Sequence, residues 1–103
     1  MIVLESAILL MGENVLPENQ KILANWVEFD DTTGEQLRNG HQEIWIIPKD
    51  FENNEFWDSR PADLKQGDLK RWKNMDVAAR QVAENLFNHL EGVIEDAIDN
   101  GDI

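Results

Sequence analysis

The chain has 103 residues, 42% of them hydrophobic, with 21 Asp and Glu against nine Lys and Arg and a formal net charge of −12. That length and apolar content describe one folded domain (residues 1–103) with one modest core rather than a disordered polymer. The charge disfavours direct binding of nucleic acid and suits a basic protein partner. The absence of cysteine excludes disulfides, a thiol nucleophile and thiolate-ligated metal centres.

Residues 1–11 (MIVLESAILLM) are apolar, but they carry Glu5 and no Lys or Arg. They lack the positive start of a secretory signal, and Gly12-Glu13-Asn14 ends the run well before the ~20 apolar residues a membrane helix needs. The expectation is a soluble cytoplasmic protein with no membrane partner. Ile2, Val3 and Ile8 are β-branched and no N-cap precedes them, so the segment predicts a strand over 2–11 buried on both faces. A loop containing Pro17 follows. Residues 21–30 predict a second strand, with Ile22, Ala24 and Trp26 on one face and Leu23, Val27 and Phe29 on the other. Asp31-Thr32-Thr33-Gly34 is a turn: Asp and Thr side chains bond nearby backbone, and Gly accepts positive φ. A short strand at 35–38 then meets Asn39-Gly40, the strongest two-residue hairpin signal in the chain. A fourth strand at 42–47 places Ile44 and Ile46 on one face and Trp45 and Ile47 on the other. Pro48 closes it, because proline has no N–H to donate to a ladder.

Residues 49–60 form a polar connection whose Phe51, Phe56 and Trp57 are expected to fold back onto the core. Ser59 or Arg60 can start a helix over 61–73, with Pro61 in its first turn and Asp63 near the positive end of its dipole. From Leu69 onward apolar or small residues recur every three or four positions. This pattern suits one helix of ~30 residues or two helices divided at Asn74. The division is favoured electrostatically, since it puts Lys70, Arg71 and Lys73 at a C-terminus and Asp76 at an N-terminus. The last helix then covers 75–100, with Gly101 beyond its end. Strands first and helices last predict an α+β fold: an antiparallel sheet of three to four strands with one or two C-terminal helices on one face.

The site chemistry is sparse. His41 and His89 have no ligand-type neighbours at metal-binding spacing, and Asp30–Glu35 lacks the alternating acids of a calcium loop. Neither Ser6 nor Ser59 sits in a Gly-x-Ser-x-Gly elbow, and the glycines are too scattered to cradle phosphate. No catalytic residue, metal or cofactor is expected. Arg60, Lys65, Lys70, Arg71 and Lys73 lie near Trp57 and Trp72, but interspersed acids make this segment an internal counterweight to the acidic excess rather than a nucleic-acid groove.

From Gln81 to Ile103 there are six acids and no Lys or Arg. Glu84, Glu91, Glu95 and Asp99, with Asp102 beyond the helix, are expected to form an acidic face opposite the apolar stripe. Like charges one turn apart cost a few tenths of a kcal/mol per pair, and acids in the last turns oppose the dipole. A rigid row of carboxylates ~5–6 Å apart resembles the phosphate spacing of a nucleic-acid strand. Trp26, Trp45 and Ile47 mark a second candidate surface, because the predicted helices cover only one side of the sheet. The residues predict a small acidic homodimeric binding protein without catalytic activity, an inhibitor or nucleic-acid-mimicking decoy docking a basic nucleic-acid-binding or nuclease-type protein. The alternatives are a homo-oligomeric accessory protein and a small-molecule-binding domain with a Trp-lined pocket.

Overall fold

A computed structural model describes residues 1–10, 18–51, 63–65 and 77–103. Three long strands come from the N-terminal half: β1 (Ile2–Leu9), β2 (Gln20–Phe29) and β3 (Gln36–Ile46). A short strand β4 (Asp63–Lys65) and one helix α1 (Val77–Asp99) follow. The sheet is antiparallel throughout, in the order β3-β2-β1-β4. The helix packs over β1 on one face, which makes the fold α+β as its sequence predicts. No helix among the described residues is long and apolar enough to cross a membrane.

Strand alternation builds the core. Ile2, Leu4, Ala7 and Leu9 of β1 share a face with Ile22, Ala24 and Trp26 of β2 and with Ile44 and Ile46 of β3, and all are buried. The helix meets them with Ala79, Val82, Ala83, Leu86, Phe87, Leu90 and Ile94, spaced by three and four as an amphipathic stripe requires. Complete burial of a Leu or Phe side chain contributes about 1.5–3 kcal/mol. This stripe, rather than intrinsic propensity, therefore holds α1 in place. Phe51 also packs against this cluster, and its ring stands edge-on to His89 at 5.6 Å. Phe56 and Trp57 lie outside the described residues.

The β2–β3 turn forms as its residues predict, with the anchor one position earlier. Oδ1 of Asp30 accepts from the backbone N–H groups of Thr32 and Thr33, each at 2.8 Å. Gly34 takes φ +74°, and its N–H donates to the Asp30 carbonyl at 2.9 Å. At Asn39-Gly40 the structure corrects the sequence. There is no hairpin, and β3 runs unbroken through both residues, joining the strands predicted at 35–38 and 42–47. Gly40 faces Trp26 across the ladder, and a Cβ at Gly40 would stand 2.7 Å from Trp26 Cζ2. Glycine is needed there for the ring, not for a turn.

Pro48 ends β3 and starts a single 3₁₀ turn, Pro48–Asp50, with its own ring buried. The helix predicted over 61–73 is corrected where it can be seen. Asp63–Lys65 is a strand paired with Ser6, Ala7 and Ile8, so ladder pairing outweighs the local dipole argument. The rest of that span, the proposed division at Asn74 and residues 75–76 lie outside the described residues. The C-terminal helix ends as its glycine predicts. Gly101 has φ +79°, the Asp102 N–H reaches the Ala97 carbonyl at 2.8 Å, and the Gly101 N–H reaches that of Ile98 at 3.1 Å. This is a Schellman cap.

Candidate functional site

The acidic row exists but has a different shape from the one its spacing suggests. At about 100° per residue, Glu84, Glu91, Glu95 and Asp99 fall in one sector of α1 roughly 80° wide. One edge of that sector, at Glu91, lies about 40° from the buried stripe, while the other, at Asp99, lies opposite the stripe's centre. Glu91 is accordingly half-buried, with Oε1 shielded from solvent. Oε1 of Glu95 accepts from the Ile2 backbone N–H at 3.2 Å. This carboxylate satisfies a β1 backbone group beyond the part of the strand that β4 covers, so Glu95 joins helix to sheet. Glu84, Glu95, Asp99 and Asp102 are exposed.

The row does not stop at the helix. Glu95 and Asp99 share an open depression of about 540 Å³ with Met1, Ile2, Ile98 and two further acids, Glu28 at the end of β2 and Asp31 in the turn. The cations nearby are already engaged. The α-ammonium of Met1 donates to the Phe29 carbonyl at 2.9 Å and pairs with Asp31 at 2.9 Å. Its hydrogen bond to Asp31 raises its pKa above the ordinary 8.0 against a smaller desolvation penalty, with Asp31, Glu28 and Glu95 adding attraction. Arg38 pairs with Glu28 at 2.8 Å. Asp30, just before Asp31, is held below its ordinary 3.8 by the backbone N–H groups of Thr33 and Thr32. One end of the molecule therefore gathers carboxylates from β2, the turn and the helix. Sequence reasoning missed Glu28 and Asp31 because only the β2–α1 juxtaposition brings them to Asp99.

The three residues of the second candidate surface separate. Trp26 is 2% exposed and belongs to the core, so it forms no oligomer or ligand face with Trp45. Its indole Nε1 has no hydrogen-bond partner, and the Arg38 guanidinium lies 5.8 Å from the ring centroid. Trp45 (59% exposed) and Ile47 (41%) do reach solvent. Lys21 covers part of the Trp45 ring, with its ammonium 5.6 Å from the centroid, while pairing with Glu43 at 2.8 Å. Trp26 and Trp45 project from opposite faces of the sheet.

A smaller polar depression of about 390 Å³ lies at the β1 bulge, beside Glu5, Ser6, Asn25, Asn39 and His41. Ser6, Asn25 and His41 occupy one rung across β1, β2 and β3, and Asn25 Nδ2 donates to Ser6 Oγ at 2.9 Å. His41 is two strands from Ser6, about 10 Å at the usual strand spacing, too far to act as its base. The sequence gives no sign of this rung, because the bulge that aligns it is a tertiary feature. Among the described residues no group of three or more His, Asp or Glu is arranged to hold a metal ion. Compared with known protein families, curated proteins and solved structures, the chain matches none, so its own surfaces carry the functional argument.

Proposed function

We propose that this chain is a small non-enzymatic binding protein whose acidic end docks a cation-rich protein, as an inhibitor or nucleic-acid-mimicking decoy. The observation that supports the reading is the gathering of Glu28, Asp31, Glu95 and Asp99 around one open depression, where Arg38 and the Met1 ammonium offset only Glu28 and Asp31. Carboxylates held by packed elements are preorganised, and preorganisation lowers the entropic cost of docking. Glu84 and Asp102 extend the surface along the helix and past its end. Glu95 is exposed beside them and also ties α1 to β1 through the Ile2 N–H.

The test is affinity capture from the native host at low and high salt, with the exposed acids reversed. Glu84→Lys, Asp99→Lys and Asp102→Lys together leave the Ile2–Glu95 bond intact, so the variant folds. The reading expects capture of a nucleic-acid-binding or nuclease protein that is lost in the triple variant, weakened by salt, and displaced by added duplex DNA. Undiminished capture by the triple variant, or indifference to duplex DNA, removes the decoy.

A further inference from the structure

Leu37, Trp45 and Ile47 are three of the six exposed large hydrophobic residues among those described, and all lie on β3 or directly after it. β3 is also an edge, with no strand beyond it among the described residues. Eleven residues make it the longest strand, about 37 Å at 3.4 Å per residue. Native edges are normally guarded by Lys, Pro or bulges that discourage pairing. β3 contains neither Lys nor Pro. Its one register irregularity leaves Leu37 as an extra residue between Gln36 and Arg38, and from Asn39 to Ile46 the ladder with β2 is regular.

Charge selects the partner. Two copies of a chain carrying −12 repel across most of their surfaces. Within β3 the only charged residues are Arg38 and Glu43, and each is already paired, to Glu28 and Lys21, at 2.8 Å. A second copy meets little repulsion along this edge, while a basic partner finds no free acid there. The strand also suits itself in the antiparallel direction, since Leu37 and Trp45 each stand four residues from His41.

We propose that the chain forms a two-fold homodimer in which β3 pairs antiparallel with β3 of a second copy, centred near His41. Trp45 of each copy meets Leu37 of the other, and the two four-stranded sheets become one. The axis stands perpendicular to the sheet, so both helices lie on the same face. This surface is separate from the acidic end, and each reading stands or falls alone.

Sedimentation from about 1 to 100 μM tests it. The expected result is a concentration-dependent dimer that is lost in Leu37→Lys/Trp45→Lys and retained in the Glu84/Asp99/Asp102 reversal. Both edge side chains are more than half exposed, so the double variant keeps its far-UV spectrum. Because the chain has no cysteine, one introduced thiol reports geometry. His41→Cys crosslinks two copies under mild oxidation, and Val77→Cys on the helix does not. A monomer at all concentrations, a dimer surviving the double variant, or equal crosslinking at both positions overturns the proposal.

Discussion

A methyl group at Gly40 would stand 2.7 Å from Cζ2 and 3.0 Å from Cε2 of Trp26, a ring that is itself fully enclosed. Neither side can yield cheaply: Gly40 is held in the β2–β3 ladder, and Trp26 is wedged between β3 and the core. Gly40→Ala is therefore expected to cost about 1–3 kcal/mol, the usual range for overpacking. Trp26→Phe shortens the ring on the side that faces Gly40 and removes an indole N–H that has no acceptor. The double variant should lose clearly less stability than the sum of the two single variants. Urea unfolding of all four proteins measures this coupling, and strict additivity would show that the contact is not what requires glycine.

Asp30 sets the β2–β3 connection by giving its carboxylate to two backbone N–H groups, and the pKa lowering follows from those bonds. The folded carboxyl titrates below its ordinary value of 3.8. Its stabilisation is complete above that value and is lost as pH falls through the lower folded value. Asp30→Asn keeps an acceptor but no charge, so its melting temperature should change less with pH below ~4 than that of the parent chain. Asp30→Ala keeps neither and should melt several degrees lower at neutral pH. Thermal melts across the acidic range distinguish the three, and identical acid profiles would detach the turn from this carboxylate. At the helix, the Schellman cap satisfies carbonyls of the last turn without any cation, which lets α1 carry acids to its C-terminus.

For the molecule as a whole, the described ion pairs are few and partly exposed, while the net charge is −12. Exposed pairs contribute at most ~1 kcal/mol each. Repulsion among unpaired acids should therefore dominate the salt response. Raising ionic strength from about 10 to about 150 mM shortens the screening length from ~30 to ~8 Å, and the melting temperature should rise. A fall on adding salt would mean that the pairs, not the excess charge, govern stability.

Features that rest on local chemistry are legible in the sequence. Alternation placed Ile44 and Ile46 opposite Trp45, and three-four spacing marked the buried stripe of α1. Asp, Thr and Gly identified the β2–β3 turn, Gly101 marked the helix end, and strands followed by a helix announced the α+β class. Features that depend on a neighbour distant in sequence emerge only from the packed fold. Gly40 is a strand glycine because Trp26 lies across from it, and Asp63–Lys65 is extended because β1 offers its edge. Glu95 ties α1 to β1 because Ile2 has an N–H to satisfy, and Glu28 and Asp31 join the acidic surface because β2 ends beside the last turns of α1. Local signals act through bonds within a few residues, so one segment displays them. Pairing, packing and charge clustering exist only between segments, and they appear once the sheet and helix have met.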